Sequence, residues 1–162
     1  MLPEDASRED QLAVLSWSRA VQLDQFEHRV QALWDCLEFY GRKVKIPDLF
    51  DEATVQRLKD AVGTIVLSEA EAKRVAGMVS GLNSPPLMAR LEYAVDADGA
   101  PVSPDDWKVL RRLRDVRNGA SHGRQSDGRG RDDLAHGLSI VARMLAYRAW
   151  RLARRTFPPS VP

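Results

Sequence analysis

Leu23-Asp24-Gln25-Phe26-Glu27-His28-Arg29-Val30-Gln31-Ala32-Leu33-Trp34-Asp35-Cys36-Leu37-Glu38-Phe39-Tyr40 is the stretch on which the fold turns. Leu23, Phe26, Val30, Leu33, Leu37 and Tyr40 recur at steps of three and four, the spacing that lines one face of an α-helix. Leu12, Leu15 and Trp17 extend the stripe less regularly toward the amino end, so the pattern predicts one long helix from about Ser7 to Tyr40. Gly41 stops it and Pro47 reinforces the break. A helix of that length spans a small bundle, and its stripe can also serve a partner subunit.

Outward from this segment the chain reads as further helices. Val55, Leu58, Val62 and Ile65 share one face of a helix from Asp51 to about Val66. Ser68-Glu69-Ala70-Glu71 has the form of a capping box and opens a short helix through about Val79. Ser84-Pro85-Pro86 opens another, which is expected to end before the turn Asp96-Ala97-Asp98-Gly99-Ala100-Pro101. Ser103-Pro104-Asp105-Asp106 supplies a cap, a first-turn proline and two carboxylates suited to a helix amino terminus. Trp107, Leu110, Leu113 and Val116 form the stripe that follows. A polar, glycine-rich loop spans Gly123 to Gly130, and a last helix runs from about Asp132 to Phe157, lined by Leu134, Leu138, Val141, Leu145 and Leu152. No segment alternates like a strand. The expected fold is all-α: an antiparallel helical bundle with a long amino-terminal and a long carboxyl-terminal helix. It forms a single domain over residues 1–157, followed by a proline-rich tail, 158–162.

Composition limits what such a bundle does. With 44% hydrophobic and 29% charged residues among 162, the chain has the makings of a globular core and no run long enough to span a membrane. The amino terminus lacks the basic-then-apolar order of a signal peptide. One cysteine, Cys36, permits neither an internal disulfide nor a thiolate zinc cluster. These features point to a cytoplasmic protein without a metal or other cofactor. The net charge is only +1, yet from Lys108 to Arg155 the chain holds 13 Lys/Arg against 4 Asp, a net +9 that leaves −8 for the remainder. A basic region of this kind meets phosphates, or else forms the solvated faces of helices.

Chemistry concentrates in Arg114-Asp115-Val116-Arg117-Asn118-Gly119-Ala120-Ser121-His122-Gly123-Arg124. In an arginine-rich chain an Arg and a His at this distance mean little alone. The accompanying features carry the weight: Asn directly after Arg117, a small residue before His122, glycine after it, an amphipathic helix before and a long helix after. From Ser103 to Leu152 this arrangement resembles the HEPN superfamily (higher eukaryotes and prokaryotes nucleotide-binding domain), whose active members carry Arg, four to six residues, then His, with a polar residue commonly following the Arg. Arg117, Asn118 and His122 match those positions.

The resemblance implies a metal-independent endoribonuclease that cleaves RNA by 2′-hydroxyl attack to leave a 2′,3′-cyclic phosphate, as a toxin or anti-phage defence effector. The residue types suit that chemistry. An imidazole with an ordinary pKa of about 6.5 exchanges protons with a ribose hydroxyl at neutral pH. An arginine stays charged and holds phosphate oxygens through paired donors. Five residues along a helix turn through about 140°, so Arg117 and His122 do not share one helical face. In the family, two protomers bring their motifs into one composite cleft, which implies a homodimer with Arg117, Asn118 and His122 from both chains lining the groove. Arg114 and Arg124 are the flanking RNA-binding candidates. An antitoxin or a larger parent protein is a further implied partner. The alternative is a non-catalytic HEPN-like module for dimerisation or for RNA or protein binding. A plainer local reading makes Asn118-Gly119 a left-handed helix cap and Arg117 a last-turn cation.

Other candidates are weaker. Asp133 and His136, three apart, can pair on one side of the last helix; His28 flanks the first stripe and reads as structural. Gly128-Arg129-Gly130 lacks the strand and Gly-Lys-Ser/Thr of a phosphate loop. Trp17, Trp34, Trp107 and Trp150 are core or interface anchors, although Trp150 stands among Arg148, Arg151, Arg154 and Arg155, a setting in which a base can stack. That arginine series is equally the wet side of a helix.

Overall fold

The computed structural model describes residues 6–65, 68–121 and 129–156. All regular structure among them is helical, in seven helices: α1 (Arg8–Gln22), α2 (Phe26–Arg42), α3 (Glu52–Gly63), α4 (Glu69–Ser80), α5 (Leu87–Asp98), α6 (Pro104–Ser121) and α7 (Arg129–Thr156). None of them is long and apolar enough to cross a membrane. The proline-rich tail 158–162 lies outside the described residues. Two compact units emerge: Met1–Val44 with Leu91–Pro162, and Lys45–Arg90.

In the first unit, the single long amino-terminal helix expected from the stripe is two helices, with a break at Leu23-Asp24-Gln25. Neither glycine nor proline is needed, because the turn satisfies its own backbone. The Leu23 amide still donates to Arg19 O (2.9 Å), and Arg29 Nε donates to Ala20 O (2.9 Å). Breaking there lets α1 pack on α2 through the small residues Ala13, Ser16 and Ala20, all buried, a face that a continuous helix would leave wet. The irregular stripe of Leu12, Leu15 and Trp17 reflects this: Leu15 points to solvent, while Trp17 Nε1 donates to Leu138 O (3.1 Å) on α7.

The core gathers Leu33, Trp34, Leu37 and Tyr40 of α2, Leu91 of α5, Leu110 and Leu113 of α6, and Ile140, Val141 and Met144 of α7. Cys36 is buried among them, and desolvation pushes its thiol up to about 12. Two glycines of α7 allow the close approach. A Cβ on Gly130 would stand 2.8 Å from Phe26 Cζ, and one on Gly137 would fall onto Leu113 Cδ1. Gly137→Ala should therefore destabilise: crowding costs about 1–3 kcal/mol, against about 1 kcal/mol gained in helix propensity. Gly77, inside α4 with open space around it, should respond oppositely to the same substitution. Urea unfolding of the two variants checks the opposite signs.

Helix ends follow local chemistry. α5 runs through Asp98, past the expected turn at Asp96, and stops at Gly99, whose φ of +69° is the left-handed conformation. Gly99 N donates to Asp96 O (3.0 Å) and Ala100 N to Val95 O (3.1 Å), the two bonds of a Schellman motif. Ser103 and Asp106 cap α6 reciprocally: Asp106 N donates to Ser103 Oγ (3.1 Å) and Ser103 N to Asp106 Oδ2 (2.9 Å).

The second unit contains α3, α4 and the first turn of α5. Asp51 caps α3, and the Ser68–Glu71 capping box starts α4 as the spacing required. Asn83 ties the unit together, accepting from Phe50 N (3.0 Å) and donating to Phe50 O (2.8 Å). Neither α3 nor α4 buries a residue fully.

Candidate functional site

Arg117 lies in the last turns of α6, and the helix continues through Asn118 and Gly119 to Ser121. The Asn-Gly pair is therefore not a helix cap. The Arg117 side chain is 32% exposed and reaches across to α2. Its Nε donates to Gln31 Oε1 (3.2 Å) and its Nη2 stands 3.4 Å from Glu38 Oε1. Gln31 and Glu38 are seven residues apart, two turns of one helix face, so α2 presents an acceptor on each side of the guanidinium. Asn118 is exposed beside it. Arg114, one turn earlier, is exposed and pairs with its neighbour Asp115 (3.1 Å). His122 and Arg124 lie outside the described residues. A surface depression near Glu38 is lined by Leu12, Leu15, Ser16, Arg19, Asp35, Glu38 and Phe39 of α1 and α2.

The charge asymmetry along the chain is largely folded into ion pairs. Arg111 meets Glu92 (3.0 Å), and Arg112 clasps Asp133 with Nε (2.8 Å) and Nη2 (2.6 Å). Those hydrogen bonds hold the Asp133 carboxyl below the usual carboxylate range and raise the Arg112 guanidinium above its own.

His136 pairs not with Asp133 but with Asp106, its Nε2 lying 3.0 Å from Oδ1. Arg143 Nη2 donates to the other Asp106 oxygen (2.8 Å). Burial alone would raise the Asp106 carboxyl. The Ser103 backbone and side chain, the Arg143 charge and His136 together outweigh that and hold it below its ordinary value. A carboxyl depressed in the folded state stabilises the fold above its unfolded pKa of about 3.9. That contribution disappears as pH falls through the folded value. Asp106→Asn should thus flatten the loss of stability below about pH 4 relative to the unchanged chain, measured by thermal unfolding across an acid series.

A second cluster, missed in the sequence, joins four helices. The Asp98 side chain has no exposed surface; Oδ2 accepts from Tyr40 Oη (2.5 Å) and Arg148 Nε (2.8 Å). Arg151 Nη2 lies 2.7 Å from Oδ1, within ion-pair distance though not aligned as a hydrogen bond. Arg148 also donates from Nη1 to Tyr40 O (2.7 Å), approaches Asp10 (3.4 Å) and lies over the Tyr40 ring at 3.6 Å. Arg148 is thus buried, not on the wet side of α7. Desolvation, above all, pushes the Tyr40 hydroxyl well above its ordinary pKa, so it donates. The available signal was Asp98 itself, an acidic residue directly before the glycine that ends α5.

Compared with models of known families, with curated proteins and with solved structures, the chain matches none.

Proposed function

We propose that this chain is a metal-independent endoribonuclease of the HEPN type, an antiparallel bundle acting in the cytoplasm as a toxin or anti-phage effector. The observation that carries the reading is the setting of Arg117: at the end of α6, one-third exposed, and steadied from α2 by Gln31 and Glu38 rather than buried in its own core. A guanidinium so held is oriented, and its exposed third is within reach of a phosphate.

In the proposed reaction His122 takes the proton from a ribose 2′-hydroxyl, and the 2′-oxygen attacks the adjacent phosphorus. The bond to the 5′-oxygen breaks, and that oxygen leaves with a proton from an imidazolium, giving a 2′,3′-cyclic phosphate and a 5′-hydroxyl. Arg117 stabilises the charge that builds on the non-bridging oxygens, Asn118 orients it, and Arg114 and Arg124 hold flanking phosphates. Two protomers form one groove, and the apolar surface of Leu12, Leu15 and Phe39 beside Glu38 supports a twofold contact there. An antitoxin or a larger parent protein would restrain the activity.

Incubating the purified protein with transfer RNA and structured RNA in EDTA tests this, with cyclic-phosphate termini as the expected product. Intact RNA would overturn it and favour the second reading, a non-catalytic dimerisation or binding module. One observation supports that alternative: the Arg117 guanidinium already has a carboxylate partner in Glu38.

A further inference from the structure

We infer that the carboxyl-terminal half of α7 is a stacking platform for a single-stranded nucleic-acid segment, with Trp150 as its central residue. Arg143, Tyr147, Trp150 and Arg154 follow one another at steps of four, three and four, which places them on one face of the helix. From Arg143 to Arg154 this face runs about 17 Å, long enough for a few nucleotides.

Two observations identify the occupant. The first is aromatic. Trp150 is 52% exposed, a large apolar side chain left in water, and Tyr147 beside it is also exposed. Their rings meet edge to face at 6.3 Å and, with Ala146, line a shallow pocket. The Arg154 guanidinium lies 4.0 Å over the indole, so a cation already stacks on the ring system that a base would extend. The second is charge. After Asp133, α7 holds no Asp or Glu, yet it carries Arg143, Arg148, Arg151, Arg154 and Arg155. Asp106, Asp98 and Asp10 are the only carboxylates paired with them among the described residues, which leaves a surplus of two positive charges. That surplus falls at Arg154, which stands over Trp150, and at Arg155, exposed one residue further along the helix. A polyanion with flat bases matches both features: phosphates take the arginines, and a base enters beside the indole. An apolar protein partner would match only the first.

The inference rests on the ribonuclease reading for the sugar alone; base and phosphate contacts are common to DNA and RNA. A fluorescent ten-nucleotide thymidine DNA strand, which has no 2′-hydroxyl to react, therefore tests the surface independently of cleavage. By anisotropy at low salt the protein should bind this strand, with quenching of tryptophan emission. Trp150→Ala should weaken binding about tenfold or more, the usual effect of losing one stacked base. Trp150→Phe should keep most of the affinity while losing most of the quenching. Arg154→Ala should lower the slope of log K against log salt by about 0.7, one single-strand phosphate contact. Absence of binding, or equal affinity of Trp150→Ala and the unchanged protein with helicity preserved, would overturn the inference. So would a dimer that Trp150→Ala converts to monomer, since the patch would then belong to a second copy. RNA cleavage that persists alongside unchanged DNA binding by Trp150→Ala removes this platform and leaves the Arg117 reading standing.

Discussion

Asp98→Ala should cost about 3–5 kcal/mol of folding stability, the usual penalty for removing one partner of a buried ion pair. In a chain of 162 residues that corresponds to a fall in Tm of about 6–20 °C. The size follows from what is left behind. Arg148, nearly buried, would lose its principal carboxylate and keep only Tyr40 O and the more distant Asp10. Arg151 would lose its ion pair, and the buried Tyr40 hydroxyl would lose its acceptor. The same cluster ties α1, α2, α5 and α7, so the loss is felt across the first unit. Circular dichroism during thermal and urea unfolding measures it. Arg148→Met combined with Asp98→Leu should recover part of the loss, because an apolar pair of similar bulk avoids the desolvation cost. A penalty below about 1 kcal/mol for Asp98→Ala would mean that water reaches the cluster and screens it.

The second large effect concerns chemistry. On the proposed ribonuclease reading, His122→Ala should lower RNA cleavage by about 10²–10⁴-fold, the range for loss of a general acid–base group. Arg117→Ala should lower it by about 10²-fold or more, as when a donor to a developing oxyanion is removed. Arg117→Lys should restore little of this, since an ammonium keeps the charge but not the paired donors. The fold should survive these changes at Arg117, because its contacts to Gln31 and Glu38 are partly exposed and contribute at most about 1 kcal/mol. Single-turnover cleavage in EDTA with matched melting curves separates lost chemistry from lost folding. Variants that cleave as fast as the unchanged chain would show that the cleavage does not pass through Arg117 and His122.

Much of the architecture was legible because it is local. The capping pairs at Ser68 and Ser103 are decided by residues three apart, and both form as their spacing required. The stripes of α6 and α7 point inward for the same reason: one face of a helix is set by its own sequence. What could not be read depends on residues distant in the chain. The break at Leu23-Asp24-Gln25 has no glycine or proline to announce it and exists because α1 gains more by lying on α2 than by extending it. Asp98 looked like part of a turn until Arg148 and Arg151, some fifty residues later, supplied its partners. His136 had Asp133 at helical spacing, but Arg112 engages that carboxylate and Asp106 stands nearer the imidazole. At the candidate site, Arg117 and Asn118 were named from their motif, whereas the α2 residues that steady Arg117 belong to a face with no signature of its own. The arginine excess looked like an open basic surface; much of it is matched by acids elsewhere in the chain.

The shielded sulfur of Cys36 makes the molecule its own gauge of opening. Packed out of water and held as a neutral thiol, it should stay inert to iodoacetamide while the first unit is closed. With no other sulfhydryl in the chain to compete, the alkylation rate then counts how often that interior parts, residue by residue substitution. Asp98→Ala should quicken this clock far more than any change at Trp150.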